Sequence, residues 1–354
     1  MQKIIFMPLR KKIFVLLVLI GGAFTTSFIR QIPKQKETDL AKEANRMMWN
    51  SLHLGNYDSI PELLQKLNKA YSENSNDFKI VAHLGFVHLW AFSERGRKAA
   101  DPTIIDHIYL SNQYLKEAIK LNPDDPRLRG FQSSTEIAQG VISQKYNLVL
   151  KGYINSLKAI NKWHIFNMSA LSLIESQLDS GSVLYKQGIK YQWKVIDECS
   201  CKKLDEETIM ASPQKVLTDF INEVNNSPDP LIKRACSNSW IAPHNLEGFC
   251  LNFGDMLVKK GRTAEAKEIY EAAKLAPSYK EWVYRTVLEN RLQNLESNRI
   301  IFNKPLEIIY TPNEKQIFIN SRISCVACHQ MSEKEFIAAG YQEPTDDIYF
   351  IKNN

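Results

Sequence analysis

The chain has 354 residues, of which 44% are hydrophobic and 24% are charged, and its formal net charge is +6 at pH 7. Residues 1–30 hold five basic side chains and no acidic one, so the remainder is close to neutral. This balance excludes proteins that bind nucleic acid through clustered Lys and Arg, and the length allows one elongated or two compact domains.

The first 29 residues have the pattern of an export segment. Lys3 and residues 10–12 form a basic cluster, and residues 13–20 are an unbroken apolar run. Because this run is shorter than the roughly 20 residues of a membrane span, a cleaved signal peptide and an N-terminal anchor at residues 13–29 both stay open. Either one places the body of the chain in the periplasm or outside the cell, and membrane contact is expected only through this segment.

Helical periodicity dominates residues 31–196, which we expect to be a helical-repeat region. Residues 77–123 predict two helices, the second ending at Pro123, and residues 40–71 predict a weaker pair. In residues 146–160, apolar side chains recur at spacings of three and four, so they share one helical face. We expect that face to be a buried seam between helices. It consists of Tyr146, Leu150, Tyr153, Leu157 and Ile160.

Residues 197–250 interrupt the helical pattern and hold Cys199, Cys201, Cys236 and Cys250 together with several prolines. In an exported protein, two disulfides that staple an irregular insertion are expected. Cys199 and Cys201 are too close to pair with each other, so two pairings remain, each joining these two to Cys236 and Cys250. The alternative is a zinc site of four thiolates, whose usual C-x-x-C spacing is missing here.

Residues 251–297 share a layout with residues 77–123. Small residues stand where two helices of a pair cross, a glycine lies between the helices, and a proline ends the second helix. The residues that carry this layout are Gly254, Gly261, Ala266, Tyr270, Ala273 and Pro277.

These residues resemble the tetratricopeptide repeat family, whose unit is a helix-turn-helix of about 34 residues. Gly85, Ala118 and Pro123 match the same pattern, with about fourteen extra residues between the two helices. The resemblance implies an all-α protein built from antiparallel helical hairpins, an α-solenoid, whose surface binds a peptide or a partner protein.

Residues 298–354 contain the pentapeptide C-x-x-C-H, in which Cys325 and Cys328 are followed by His329. Two thiols at this spacing can each form a thioether to a haem vinyl group, and the adjacent imidazole can ligate the iron. We therefore expect one covalent haem c, held by Cys325 and Cys328, with His329 as the proximal ligand. The protein would transfer electrons to a redox partner or serve it as a haem-bearing accessory.

Only 25 residues follow His329, so a distal ligand is expected to come from upstream, with Met256, Met210 and His244 as candidates, or to be absent. Two other interpretations of the tail stay open. In the first, Cys325 and Cys328 form a reversible disulfide; in the second, they form a structural bridge in a haem-free protein that binds or assembles partners. No hydrolase or transferase motif is found, so electron transfer is favoured over enzymatic catalysis.

Overall fold

The structure of the chain is a computed structural model that describes residues 37–98, 101–200, 209, 215–219, 236, 245–304 and 322–342. Within these residues every regular element is a helix, which confirms the predicted all-α class. From Thr38 onward the described elements belong to one unit. The predicted export segment, residues 1–29, lies outside the described residues. None of the described helices has the length and apolar character needed to cross a membrane.

The helices are numbered here in chain order. Those before the cysteine-rich region are α1 Asp39–His53, α2 Ile60–Glu73, α3 Phe78–Ser93, α4 Asp106–Leu121, α5 Pro126–Ile142, α6 Tyr146–Ile160, α7 His164–Glu175 and α8 Val183–Cys199. Those after it are α9 Leu246–Lys260, α10 Thr263–Ala272, α11 Arg285–Gln293, α12 Leu295–Phe302, α13 Val326–His329 and α14 Glu333–Ala339. Short 3₁₀ turns lie at Tyr57–Ser59, Arg95–Arg97 and Ala273–Leu275.

Several helices begin at residues whose side chains cap them. Thr38 before α1, Asp77 before α3 and Asn245 before α9 each accept a hydrogen bond from a backbone amide in the first turn. Such a cap typically stabilises a helix by about 1 kcal/mol. At the other end of α9, Gly261 has a φ of +86°, a left-handed conformation that glycine adopts without steric cost.

Consecutive helices pack side by side in pairs, α1 with α2, α3 with α4, α5 with α6, α7 with α8 and α9 with α10. The glycines predicted at helix crossings lie at close contacts. A Cβ atom at Gly85 would lie 2.8 Å from Leu115 Cγ, and one at Gly254 would lie 2.2 Å from Tyr270 Cε1. Adjacent pairs also contact each other: α1 contacts α3, and α5 contacts α7. The described helices therefore form layers of paired helices.

Two large apolar clusters fill the interior. The N-terminal cluster is built mainly from α1 to α5 and includes Leu63, Leu84 and Leu115, all fully buried. The C-terminal cluster is built mainly from α8 to α12 and includes Phe253 and Tyr270, also fully buried. A smaller third cluster surrounds the cysteines at the end of α8. The two large clusters meet at the C-terminal motif, as described below.

The apolar face predicted on α6 is not a buried seam, and this expectation is corrected. Tyr146 is 86% exposed and Leu150 is 60% exposed, while the side of α6 that packs against α5 carries Gly152, Ser156 and Ala159. A Cβ atom at Gly152 would lie 2.8 Å from the Ser133 carbonyl oxygen. The two helices lie so close together that only small side chains fit between them. Tyr146, Leu150 and Leu157 face outward, whereas Tyr153 and Ile160 of the predicted face are half-buried.

A carboxyl group is buried at the end of α7. Glu175 is 1% exposed, and its Oε1 accepts a hydrogen bond from the Tyr153 hydroxyl at 3.4 Å. Burial raises the pKa of Glu175 to about 8, and the bond from Tyr153 acts in the opposite direction. The carboxyl is thus held in its neutral form at neutral pH.

We expect the substitution Glu175→Gln to stabilise the protein increasingly as the pH rises. The pKa is raised in the folded chain, so the stability that this carboxyl contributes is fully present below about pH 4.5 and is lost as the pH rises towards 8. Relative to wild type, Glu175→Gln should gain about 3–4 kcal/mol in the free energy of unfolding between pH 5 and pH 8. Urea unfolding at both pH values measures this.

The variant Tyr153→Phe is the companion to this experiment. It removes the hydrogen bond that lowers the pKa of Glu175, so the loss of stability with pH should remain and its midpoint should move upward. A constant difference between Glu175→Gln and wild type from pH 5 to pH 8 would show that the buried carboxyl is not neutral in the folded protein.

Candidate functional site at the C-terminal motif

The C-x-x-C-H pentapeptide forms a single helical turn, α13, with Cys325 at its N-cap. Its two middle residues, Val326 and Ala327, are completely buried. Cys325, Cys328 and His329 are only half-buried. The middle residues therefore fix the turn to the protein, and the three residues with the chemistry keep part of their surface exposed.

The buried middle residues belong to different clusters. Val326 packs into the N-terminal cluster and Ala327 into the C-terminal cluster. In agreement with this, α13 contacts both α1 and α9. The motif thus lies where the two halves of the described helices meet.

A buried carboxylate holds the start of the turn. Glu94, at the end of α3, has a completely buried side chain, and its Oε1 accepts hydrogen bonds from the Cys325 and Val326 amides at 2.8 and 3.0 Å. Its Oε2 lies 2.9 Å from Arg97 Nε. Burial raises the pKa of Glu94, whereas Arg97 and the two amides act to lower it. Close by, the Ser324 hydroxyl donates to the Ser93 carbonyl at 3.0 Å.

On its other side the turn lies against α9. The Trp282 indole donates to the Ala327 carbonyl at 3.2 Å, and the Asn245 amide donates to the Cys328 carbonyl at 3.4 Å. A Cβ atom at Gly248 would lie 2.6 Å from Cys328 Sγ. Glycine at this position therefore makes room for the second thiol of the motif.

The residues after the motif are tied to the turn that follows α1. The Met331 amide donates to the His53 carbonyl at 2.9 Å, and the Gln330 side chain donates to the Leu54 carbonyl at 3.2 Å. Gly55, with a φ of +63°, lies so close to Gln330 that a Cβ atom would overlap its side chain. These bonds link the C-terminal motif to the first helix pair.

Both thiols of the motif are difficult to ionise. Burial, followed by the charge of Glu94, raises the pKa of Cys325 well above its usual value. Burial, followed by Glu247, raises the pKa of Cys328 to about 12. At neutral pH both residues are thiols, and a thiol exchanges with disulfides far more slowly than a thiolate does.

The four cysteines of the predicted insertion are in different states. Cys199 and Cys236 form a disulfide, with their Cα atoms 5.7 Å apart, and this is one of the expected bridges. Cys250 is instead a free, completely buried thiol on α9, where its pKa is raised by burial and then by Glu247 and Cys328. It is not bridged, in contrast to the expected second disulfide. Cys201 lies outside the described residues.

The disulfide also uses two of the four thiolates that the zinc alternative requires. In the part of the chain that the structure describes, no group of three or more His, Cys, Asp or Glu side chains is placed to hold a metal ion.

Of the candidate distal ligands, the structure describes only Met256, and it does not place that side chain at the motif. Met256 is completely buried in the C-terminal cluster, where its methyl group lies near Gly188 of α8. It is eight positions beyond Gly248, which corresponds to about 12 Å along the axis of α9. His244 and Met210 lie outside the described residues.

Three residues that form the site belong to no recognisable sequence motif. Glu94 lies within the extra residues between α3 and α4, Gly248 lies near the start of α9, and Trp282 follows the predicted repeat. The insertion between two matched helices was the one available signal, because an addition to a regular repeat often serves a contact specific to that protein.

The donor set, two thiols and an imidazole at C-x-x-C-H spacing, fits a covalent haem in its chemistry. Cys325, Cys328 and His329 keep exposed surface, and the turn is held by backbone hydrogen bonds and by Val326 and Ala327.

The fold and the site define the class of this protein as all-α, with a C-terminal C-x-x-C-H turn packed between two clusters of helices. The chain matches no known family model, no curated protein and no solved structure.

Proposed function

We propose that this chain is an exported helical-repeat protein that carries one covalent haem c on its C-terminal motif and exchanges electrons with a protein partner. One observation carries the proposal: Val326 and Ala327 are fully buried, whereas Cys325, Cys328 and His329 keep exposed surface. The residues that a haem needs are thus the ones of the motif that are half-buried and not completely buried.

In this proposal Cys325 and Cys328 hold the haem through thioether bonds, and His329 is the proximal iron ligand. When bound, the haem would supply one-electron oxidation and reduction. The surrounding residues of the protein hold the C-x-x-C-H turn in place. Glu94 holds the backbone of Cys325 and Val326, and Trp282 holds the carbonyl of Ala327, so that the position of His329 is set from both sides.

The helical pairs are proposed to be tetratricopeptide-like hairpins of an α-solenoid. The close contacts at Gly85 and Gly254 support this, because the resemblance to the repeat family requires small residues where paired helices cross. The surface of such an array commonly binds a peptide or a protein, and a redox protein is the partner that suits a haem. Residues 13–29 would direct the chain to the periplasm or anchor it in the inner membrane.

A second candidate is a haem-free repeat protein that binds or assembles partners. The bonds from residues 324–331 to Ser93, Glu94 and His53 favour it, because they give the segment a structural role of its own. Cys325 and Cys328 are free thiols in the structure, and the raised pKa values of both weigh against the reversible-exchange form of this candidate.

The test is the intact mass and the absorbance spectrum of the full chain, exported from cells that can attach c-type haem. The expected result is a mass gain of one haem and a c-type spectrum of the reduced protein. The double variant Cys325→Ser, Cys328→Ser should lose both, and His329→Ala should keep less haem and show a shifted spectrum.

Cys250→Ala is the matched control, because Cys250 is a free thiol near the motif but outside it. It should keep the haem. A wild-type chain of unmodified mass would overturn the haem proposal and favour the second candidate, and the same mass measurement after alkylation would then report whether Cys325 and Cys328 are bridged.

A further inference from the structure

The outward face of α6 carries an apolar stripe. Tyr146 is 86% exposed, Leu150 60%, Ile154 43% and Leu157 37%. These four residues, named here the α6 stripe, are spaced by three or four positions and so share one side of the helix. Large apolar side chains grouped in this way on a protein surface mark a contact site more often than single exposed ones do.

The helix cannot turn to bury this stripe. Its opposite side carries Gly152, Ser156 and Ala159, which are buried against the rest of the protein. At Gly152 the backbone of α5 is so near that a Cβ atom would lie 3.0 Å from the Ile137 amide nitrogen. Rotation of α6 would bring Leu150 or Tyr146 into a space that admits only glycine. The side chains of the stripe therefore stay exposed to solvent.

The charges beside the stripe are all positive. Residues 144–162 contain four lysines and no acidic residue. All four lysines are exposed, and the charge of Lys151 is offset by the buried Glu136, which it pairs with at 2.7 Å. On a helical projection Lys151 and Lys158 lie along one edge of the stripe. A second copy docked on the same face would bring lysines against lysines, which disfavours a symmetric dimer.

We propose that the α6 stripe docks on an anionic lipid surface, with α6 parallel to the membrane plane. An exposed apolar face bordered by lysines is the pattern of helices that lie in the membrane interface, where the apolar side chains enter the acyl boundary and the lysines meet the anionic headgroups. Tyr146, at the start of the helix, has the amphipathic ring that prefers this interface. The proposal does not depend on the haem.

The test uses the full chain and two kinds of vesicle, phosphatidylcholine alone and phosphatidylcholine mixed with phosphatidylglycerol. Binding is measured by flotation, and the contact is located by acetylating exposed lysines and quantifying each site by mass spectrometry. With anionic vesicles, acetylation of Lys158 and Lys162 should slow about threefold, while Lys280, exposed near α11, should be unaffected. This local readout separates α6 from any binding by the N-terminal segment.

The double variant Leu150→Ser, Leu157→Ser changes only exposed side chains, and it should weaken the slowing at Lys158 and lower the α6-dependent binding about tenfold. Ile300→Ser, an equally exposed apolar residue on α12, is the control and should behave as wild type. Three outcomes overturn the proposal: unchanged acetylation of Lys158 on anionic vesicles, a double variant that binds like wild type, or a dimer in solution that the double variant dissociates.

Discussion

Replacing Glu94 with alanine is expected to release the C-x-x-C-H turn from the helical body. The substitution removes the acceptor of the buried Val326 amide and the part-buried Cys325 amide, and it removes one partner of Arg97, whose side chain is 25% exposed. Unpaired buried groups of this kind cost about 1–3 kcal/mol each, so we expect a loss of about 3 kcal/mol in the free energy of unfolding.

Hydrogen exchange followed by mass spectrometry measures this release directly. Peptides covering residues 322–331 should exchange at least about tenfold faster in Glu94→Ala, because local opening becomes easier, while peptides from α5 should change little. Glu43→Ala is the matched control, since it also removes a carboxylate paired with a cation, here Lys66 at 2.6 Å, but at the exposed surface. Unchanged exchange at residues 322–331 in Glu94→Ala would show that the turn is held by its apolar residues alone.

Gly254→Ala is expected to destabilise the protein although alanine is the better helix former. In an open helix this substitution gains about 1 kcal/mol. Here the new methyl group would lie 2.2 Å from the ring of Tyr270, which is completely buried and whose hydroxyl donates to Asp255 at 2.6 Å. Because Asp255 is itself paired with Arg291, the ring cannot move aside, and we expect a net loss of about 2 kcal/mol in the free energy of unfolding.

Chemical unfolding of three variants tests the cause of this loss. Gly181→Ala, where only the exposed Asp179 side chain lies near the new atom, should change the stability little. Combining Gly254→Ala with Tyr270→Leu removes part of the clash, so the two substitutions together should cost less than the sum of their separate effects. Additive losses would mean that the crossing of α9 and α10 tolerates the extra atom.

The helices themselves were predictable because their signals are local. Asp77 caps α3, Pro123 follows α4 and Gly261 ends α9, and each of these acts within one turn of its own position. The glycines at helix crossings were predictable for a related reason, because a close contact between neighbouring helices allows few residue types.

The exposure of the α6 stripe was not predictable. Periodicity shows that Tyr146, Leu150 and Leu157 share a face, but it does not show which face of the helix meets the protein. That choice is made by the partner helix α5, whose backbone comes near enough at Gly152 to exclude larger side chains. In this case the small residues, not the apolar ones, mark the buried side.

The chemistry of the C-terminal motif could be predicted from five adjacent residues, but its surroundings could not. Glu94 and Cys325 are 231 positions apart, and nothing in the residues around Glu94 indicates a contact at that distance in the chain. The same is true of Gly248. It lies in the first turn of α9 with no distinguishing sequence pattern, and it leaves room for the Cys328 thiol only because it has no side chain.

The C-terminal turn also affects the order in which the paired helices can unfold. In an open stack each pair contacts only its neighbours, so the outermost pairs loosen first and the rest follows stepwise. Here residues 322–342 bond to the turn after α1 and pack against α9, which are early and late members of the stack. Neither the first helix pair nor α9 can separate from the other described helices without breaking contacts to the segment that bears the two motif cysteines.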